Sequence, residues 1–156
     1  MTCSCPAHTQ ALGRRIGALV VQKLVIGLIG ALGAGKTAFV HGVARGLGVN
    51  DPYITSPTFS LINAYQGRLP FWHADLYRLS GPSDVQDIGL EEMLGADRGV
   101  VAVEWADKMD WAGWPDRLEI RLTIVDENTR ALELTGFGAD AQAIIEKIAK
   151  SGDSFP

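Results

Sequence analysis

The sequence predicts an α/β fold in which a mixed, mainly parallel sheet is sandwiched between helices and closed by a C-terminal antiparallel hairpin. Three observations predict it. An apolar run of strand length, Leu24-Val25-Ile26-Gly27-Leu28-Ile29, leads into a glycine-rich loop and then into a stripe of apolar residues at helical spacing. A second continuous apolar run, Val100 to Val103, reads as a strand buried on both faces, as parallel strands are. After Pro115, the residues Leu118, Ile120, Leu122 and Ile124 alternate with polar ones, the period of a half-buried antiparallel strand.

In order along the chain, His8 to Val21 carries Leu12, Ile16, Leu19 and Val20 on one face of an amphipathic helix, and Thr9 can cap its first turn. The Leu24–Ile29 strand follows. The next helix starts near Lys36, presents Phe39, Val40, Val43, Ala44 and Leu47, and stops at Gly46 and Gly48. Asn50-Asp51-Pro52 is a turn. Leu61 to Tyr65 and Leu69 to Ala74 read as two strands joined through Gln66-Gly67-Arg68, the second ending at Asp75. Gly81 to Leu94 is a turn and a short helix, and Val100–Val103 ends in Glu104. Asp126-Glu127-Asn128 turns the alternating strand into its partner, Arg130 to Thr135, and Ala139 to Lys150 is a closing helix.

The 156 residues read as one domain over 1–150, with 151–156 a disordered tail. A hydrophobic content of 47% suffices for a core. The net charge of −4, with no dense Lys/Arg run, excludes an autonomous nucleic-acid binder. No DNA partner is expected, and any RNA would be met through another protein's basic surface. No apolar run approaches the roughly 20 residues of a membrane span, and the N-terminus lacks the basic-then-apolar order of a signal peptide, so a cytoplasmic protein is expected. Cys3 and Cys5 fall in an N-terminus expected to be frayed, with nothing nearby to complete a metal-ligand set.

The chemistry concentrates in Gly30-Ala31-Leu32-Gly33-Ala34-Gly35-Lys36-Thr37, which reads G-x-x-x-x-G-K-T. Its glycines let successive N–H groups converge on an anion, Lys36 reaches the β- and γ-phosphates, and the Thr37 hydroxyl faces Mg²⁺. A strand before the loop and a helix after it supply the context this phosphate-binding loop requires, so the fold class sharpens to a P-loop NTPase-like three-layer sandwich. A nucleotide site also needs carboxylates for the metal. Glu104, presented by an apolar strand, is the first candidate, and Asp75 the second. His73 either orients a water or packs at a strand end; Trp105, Trp111 and Trp114 suit core or partner packing. No Asn-Lys-x-Asp element for guanine occurs, and Arg68, Arg78, Arg98 and Arg117 are too scattered for a kinase lid. An ATP-binding and ATP-hydrolysing protein remains.

With these residues in place, the chain resembles the TsaE (YjeE) family. The resemblance runs from about Thr9 to Gly136 and is carried by Leu32–Thr37, Ser56-Pro57-Thr58-Phe59, His73-Ala74-Asp75-Leu76-Tyr77-Arg78, Gly89-Leu90-Glu91-Glu92 and Val103-Glu104-Trp105-Ala106-Asp107. It implies a bacterial Mg²⁺-dependent ATPase of tRNA threonylcarbamoyladenosine synthesis. Such a protein acts with TsaB and TsaD and does not itself transfer the carbamoyl group; with no obvious arginine finger near the loop and no certain base, this chain is expected to turn over slowly without partners. The resemblance maps the Mg²⁺ ligands onto Thr37 and Glu104 and the catalytic aspartate onto Asp75, with Lys36 beside them. Gly33, Ala34, Gly35, Lys36, Thr37 and Asp75 would hold the nucleotide, Thr9 and Arg130 would lie near it, and Ser56–Phe59 would form a switch-type loop. Family members usually carry an acid after the first glycine of the phosphate loop; this chain has Ala31, which should leave nucleotide binding intact because the backbone binds the phosphates. A small-molecule kinase, and a nucleotide-gated binding module with negligible turnover, are the alternatives.

Overall fold

A run of six consecutive buried residues, Leu24 to Ile29, forms the strand on which the molecule is assembled. The computed structural model describes residues 1–57 and 59–150, so Thr58 and the expected tail 151–156 lie outside the described residues. The elements in chain order are β1 (Thr2–Cys3), α1 (Pro6–Leu19), β2 (Lys23–Ile29), α2 (Lys36–Gly46), β3 (Ile62–Gln66) and β4 (Pro70–Asp75). Then follow α3 (Pro82–Gln86), α4 (Leu90–Leu94), β5 (Gly99–Glu104), a 3₁₀ turn (Ala106–Lys108), β6 (Arg117–Ile124), β7 (Arg130–Phe137) and α5 (Ala139–Lys150).

Among the described residues the strands make one seven-stranded sheet in the order β1-β7-β6-β2-β5-β4-β3. The central four, β6, β2, β5 and β4, are parallel, and the pairings outside them are antiparallel. The Leu118–Ile124 alternation and its return strand are the expected hairpin, β6–β7.

Successive side chains of β2 point to opposite faces, and both faces are covered. Leu24, Ile26 and Leu28 join Leu12, Ile16, Phe39, Val43 and Ile144 in a core under α1, α2 and α5. Val25 and Ile29 join Val101, Val103, Leu90 and Leu94 in a second core under α3 and α4. Each fully buried Leu, Ile or Phe contributes about 1.5–3 kcal/mol, so the three layers are held by both cores.

Two readings of the N-terminus are corrected. Pro6 occupies the first turn of α1, where its missing N–H costs nothing, and Cys5 precedes it in an extended conformation without a side-chain cap. Thr9 therefore lies inside the helix and does not cap it. The first residues are not frayed: β1 pairs with β7 through Thr2↔Ala131 and Cys3↔Arg130, and the Cys3 side chain is fully buried. The expected helix within Gly81–Leu94 is split into two single-turn pieces, α3 and α4.

Helices α1 and α2 cross backbone to backbone. A Cβ added at Gly13 would lie 2.3 Å from the Phe39 carbonyl oxygen, one at Gly17 2.3 Å from that of Val43, and one at Gly42 2.1 Å from that of Gln10. Glycine is what permits this approach, and it presses α1 against the helix that begins at the phosphate loop. Among the described residues no helix is long and apolar enough to cross a membrane.

Candidate functional site

The loop from Gly30 to Gly35 joins the carboxyl end of β2 to the first turn of α2. Gly33 (φ 78°) and Gly35 (φ 100°) adopt left-handed conformations that side chains resist. The 11-residue helix α2 begins at Lys36, so its unpaired N–H groups and its positive dipole end face the loop.

Lys36 folds back over the loop it follows. Its Nζ donates to the carbonyls of Gly30 (2.6 Å) and Ala31 (3.0 Å) and lies 3.9 Å from the centroid of the Trp105 ring. Burial pushes its pKa below the ordinary 10.5, against the opposing pull of Glu104, Asp75 and Asp107. Those carboxylates keep an ammonium where desolvation alone would disfavour it. The Ala31 side chain is exposed, while its carbonyl accepts from Lys36 and from the Ala34 N–H. Position 31 thus serves the loop through its backbone.

The neighbouring strand ends deliver the acids. In register, Leu28 of β2 stands beside Glu104 of β5, and Glu104 beside Asp75 of β4. Glu104 is 3% exposed. Its carboxylate accepts the Thr37 hydroxyl at 2.9 and 3.2 Å and the His73 Nε2–H at 2.8 Å. A carboxylate only accepts, so Nε2 carries a ring proton, and the Nδ1 of His73 is buried without a partner among the described residues. His73, read as orienting a water or packing at a strand end, is fully buried with its ring bonded to Glu104.

Asp75 is fixed on both oxygens, accepting from the Ser56 hydroxyl (2.8 Å) and from the Tyr77 N–H (2.9 Å). Ser56 belongs to the expected switch-type segment, so that segment is tied to the site acid. Phe59, at its far end, is 88% exposed with the Arg78 guanidinium over its ring. Thr9 and Arg130 both reach the phosphate loop. The Thr9 methyl lies 3.8 Å from where a Cβ of Gly35 would be, and its hydroxyl oxygen is buried. Arg130 donates from Nη2 to the Gly33 carbonyl (3.3 Å), and its Nη1 is anchored on the carbonyls of Asp126, Glu127 and Thr129.

A family model described as "Threonylcarbamoyl adenosine biosynthesis protein TsaE" matches residues 3–132. The chain belongs to the TsaE family. It is 40% identical over 141 residues to the tRNA threonylcarbamoyladenosine biosynthesis protein TsaE of Nostoc sp., covering 88% of this chain and 85% of that one. It is 34% identical over 146 residues to the TsaE of Bacillus subtilis, covering 93% and 90%. Among solved structures, the crystal structure of Bacillus subtilis YdiB superposes with a TM-score of 0.76 at 30% identity, over 98% of this chain and 95% of that one.

The candidate site also contains residues to which sequence reasoning gave no part in it. Trp105, weighed as core or partner packing, takes a left-handed backbone (φ 60°) directly after Glu104, and this turns its ring onto Lys36 and against Tyr77. Lys108 donates to the carbonyls of Leu76 (3.0 Å), Tyr77 (2.6 Å) and Leu79 (2.7 Å), bracing the chain that leaves Asp75. His41 stands one turn after Thr37; burial lowers its pKa from 6.5, with His73 and Glu104 the next influences. Glu104-Trp105 was a visible pair, whereas a single lysine or histidine carried no signal before the fold brought it in.

Proposed function

We propose that this TsaE-family protein is the Mg²⁺-dependent ATPase subunit of tRNA threonylcarbamoyladenosine modification, acting with TsaB and TsaD and meeting tRNA only through them. Residues 1–150 would serve as one ATPase domain in the cytoplasm. The observation that carries the reading is the Thr37 hydroxyl bonded to the Glu104 carboxylate directly below a phosphate loop bridged by Lys36.

Thr37 and Glu104 offer adjacent hard oxygens, which suits Mg²⁺, a cation that takes few protein ligands and leaves the rest to phosphates and water. Bound there, Mg²⁺ would supply charge neutralisation between the phosphates. The chain's own residues do the remainder. The N–H groups of Gly33 to Thr37 hold the phosphates, with Thr9 and Arg130 flanking the loop. Lys36 exchanges two carbonyls for phosphate oxygens, while Trp105 and the nearby acids keep it charged and in place. Asp75, held by Ser56 and Tyr77, is the acid placed to orient the attacking water, and His73 keeps Glu104 aimed at Thr37. Because Ser56 reports on Asp75, the 56–59 segment can register whether the γ-phosphate is present and convey this to a docked partner.

The test is steady-state phosphate release by the purified protein, alone and with the TsaB–TsaD pair. Slow release alone and faster release with the pair is expected. Equal rates refute the partner-gated reading; no release under either condition refutes the ATPase.

A further inference from the structure

A cavity of about 670 Å³ lies against the α1–α2 pair, walled by the chain from Val49 to Ile54. Arg14 of α1 and Arg45 of α2 line it with Gln10, Asn50 and His41, and among the described residues no carboxylate lines it. The adjacent Asp51 lies outside the lining and accepts the Tyr53 N–H on Oδ1 (2.8 Å). Among the described residues neither arginine is paired with an acid. Arg45 gives one N–H to the Val49 carbonyl (3.2 Å), which orients its guanidinium and leaves its other donors open.

The close crossing explains why the two cations sit together. A Cβ on Gly42 would fall 2.9 Å from the Arg14 N, and one on Gly46 2.0 Å from the Arg14 carbonyl oxygen. The Arg14 backbone thus packs directly on Gly42 and Gly46 of the helix that carries Arg45. In a protein of net charge −4, this is a concave, acid-free cluster of forked donors, the geometry that pairs bidentately with phosphate oxygens. It is a half-open hollow edged by two exposed arginines, room for a small ligand rather than for the row of phosphates along a nucleic acid.

We propose that this cavity is a second anion site, separate from the phosphate loop, which takes a small ligand bearing a diphosphate group. Its far wall leads directly into Ser56, so a ligand gripping Arg45 and Asn50 stiffens the segment that holds Asp75 and changes turnover; this second step rests on the ATPase reading.

The experiment is calorimetric titration of inorganic pyrophosphate into protein already saturated with Mg-ADP, with free Mg²⁺ held constant. One further binding event is expected, weakened at least tenfold in the double variant Arg14→Gln with Arg45→Gln. The Mg-ADP thermal shift of the variant serves as the folding control; should the pair fail it, the exposed Arg14→Gln alone must show the weakening. Absence of the second event, an equal event in the variant, or binding of a short single-stranded RNA but not of pyrophosphate overturns the site. Phosphate release should change at least twofold with pyrophosphate in the wild type and not in the variant; binding without that change overturns the coupling alone. A protein that hydrolyses nothing loses the ATPase reading while the calorimetry still decides the site.

Discussion

Replacing Glu104 by Gln separates holding a nucleotide from hydrolysing it. The side chain keeps its shape and loses its charge. In the fold, Glu104 accepts two hydrogen bonds, from Thr37 and from His73. Gln retains one acceptor oxygen, and the rotatable Thr37 hydroxyl or the other His73 tautomer can accept from its new amide. The cost to folding is then about one hydrogen bond, ~1 kcal/mol, or roughly 2–4 °C in Tm for a chain of this size. The groups that hold phosphates, the loop N–H groups and Lys36, stay in place, with Lys36 losing one of the three carboxylates that oppose its desolvation, so Kd for ADP should move by less than about threefold, under 1 kcal/mol. Hydrolysis loses the carboxylate beside Thr37, and removal of one such preorganised electrostatic group costs on the order of 10²–10³ in kcat, or about 2.7–4 kcal/mol. The assays are single-turnover phosphate release and an ADP titration of the same preparation. Equal losses in binding and in kcat/KM, or a fall in Tm beyond about 10 °C, would show Glu104 to be structural and refute the reasoning.

Lys36→Ala should abolish most of the thermal stabilisation by Mg-ATP or Mg-ADP, which for the wild type is worth about 2.7 kcal/mol at a hundredfold excess over Kd; an undiminished melting shift would argue against the phosphate role. His73→Leu leaves a buried carboxylate one donor short, so stability should fall by about 1–3 kcal/mol and hydrolysis with it, while His73→Gln, whose amide can replace the Nε2–H, should restore much of both. His41 has its folded pKa lowered from 6.5 by burial, so the unfolded chain binds the proton first. Stability is therefore full above pH 6.5 and is lost as pH falls through the window below it, and in denaturant titrations from about pH 7.5 to about 5.5 His41→Gln should flatten that loss.

Much of this site was legible because its parts are local or strongly periodic. Leu24–Ile29, the glycine loop and the Phe39–Val43 stripe are contiguous, and four apolar residues before Glu104 announce a buried strand with an acid at its end. Asp75 was found in the same way. Strand order was not legible: β6 is placed beside β2 by pairing between segments far apart in the chain, which no local pattern encodes. A two-residue strand such as β1 has no period, and its burial of Cys3 depends on β7, far along the chain. Gly13, Gly17 and Gly42 read locally as weaknesses in helices; only the crossing gives them a purpose. His73 was ambiguous and Lys108 silent for the same reason, because their partners lie 31 and 32 residues away in sequence.

The glycine-lined crossing also bears on the order in which the molecule comes together. An interface made of two backbones asks for little side-chain ordering, so its entropic cost is low. Its two helices and the strand between them occupy only residues 6–46, and such short-range contacts form early. The phosphate cradle can therefore be in place while the segment carrying Asp75 and Glu104 is still searching for its position. On this view the acids dock against a finished template, and the amides at the α1–α2 crossing should be the first protected when hydrogen exchange is pulsed during refolding.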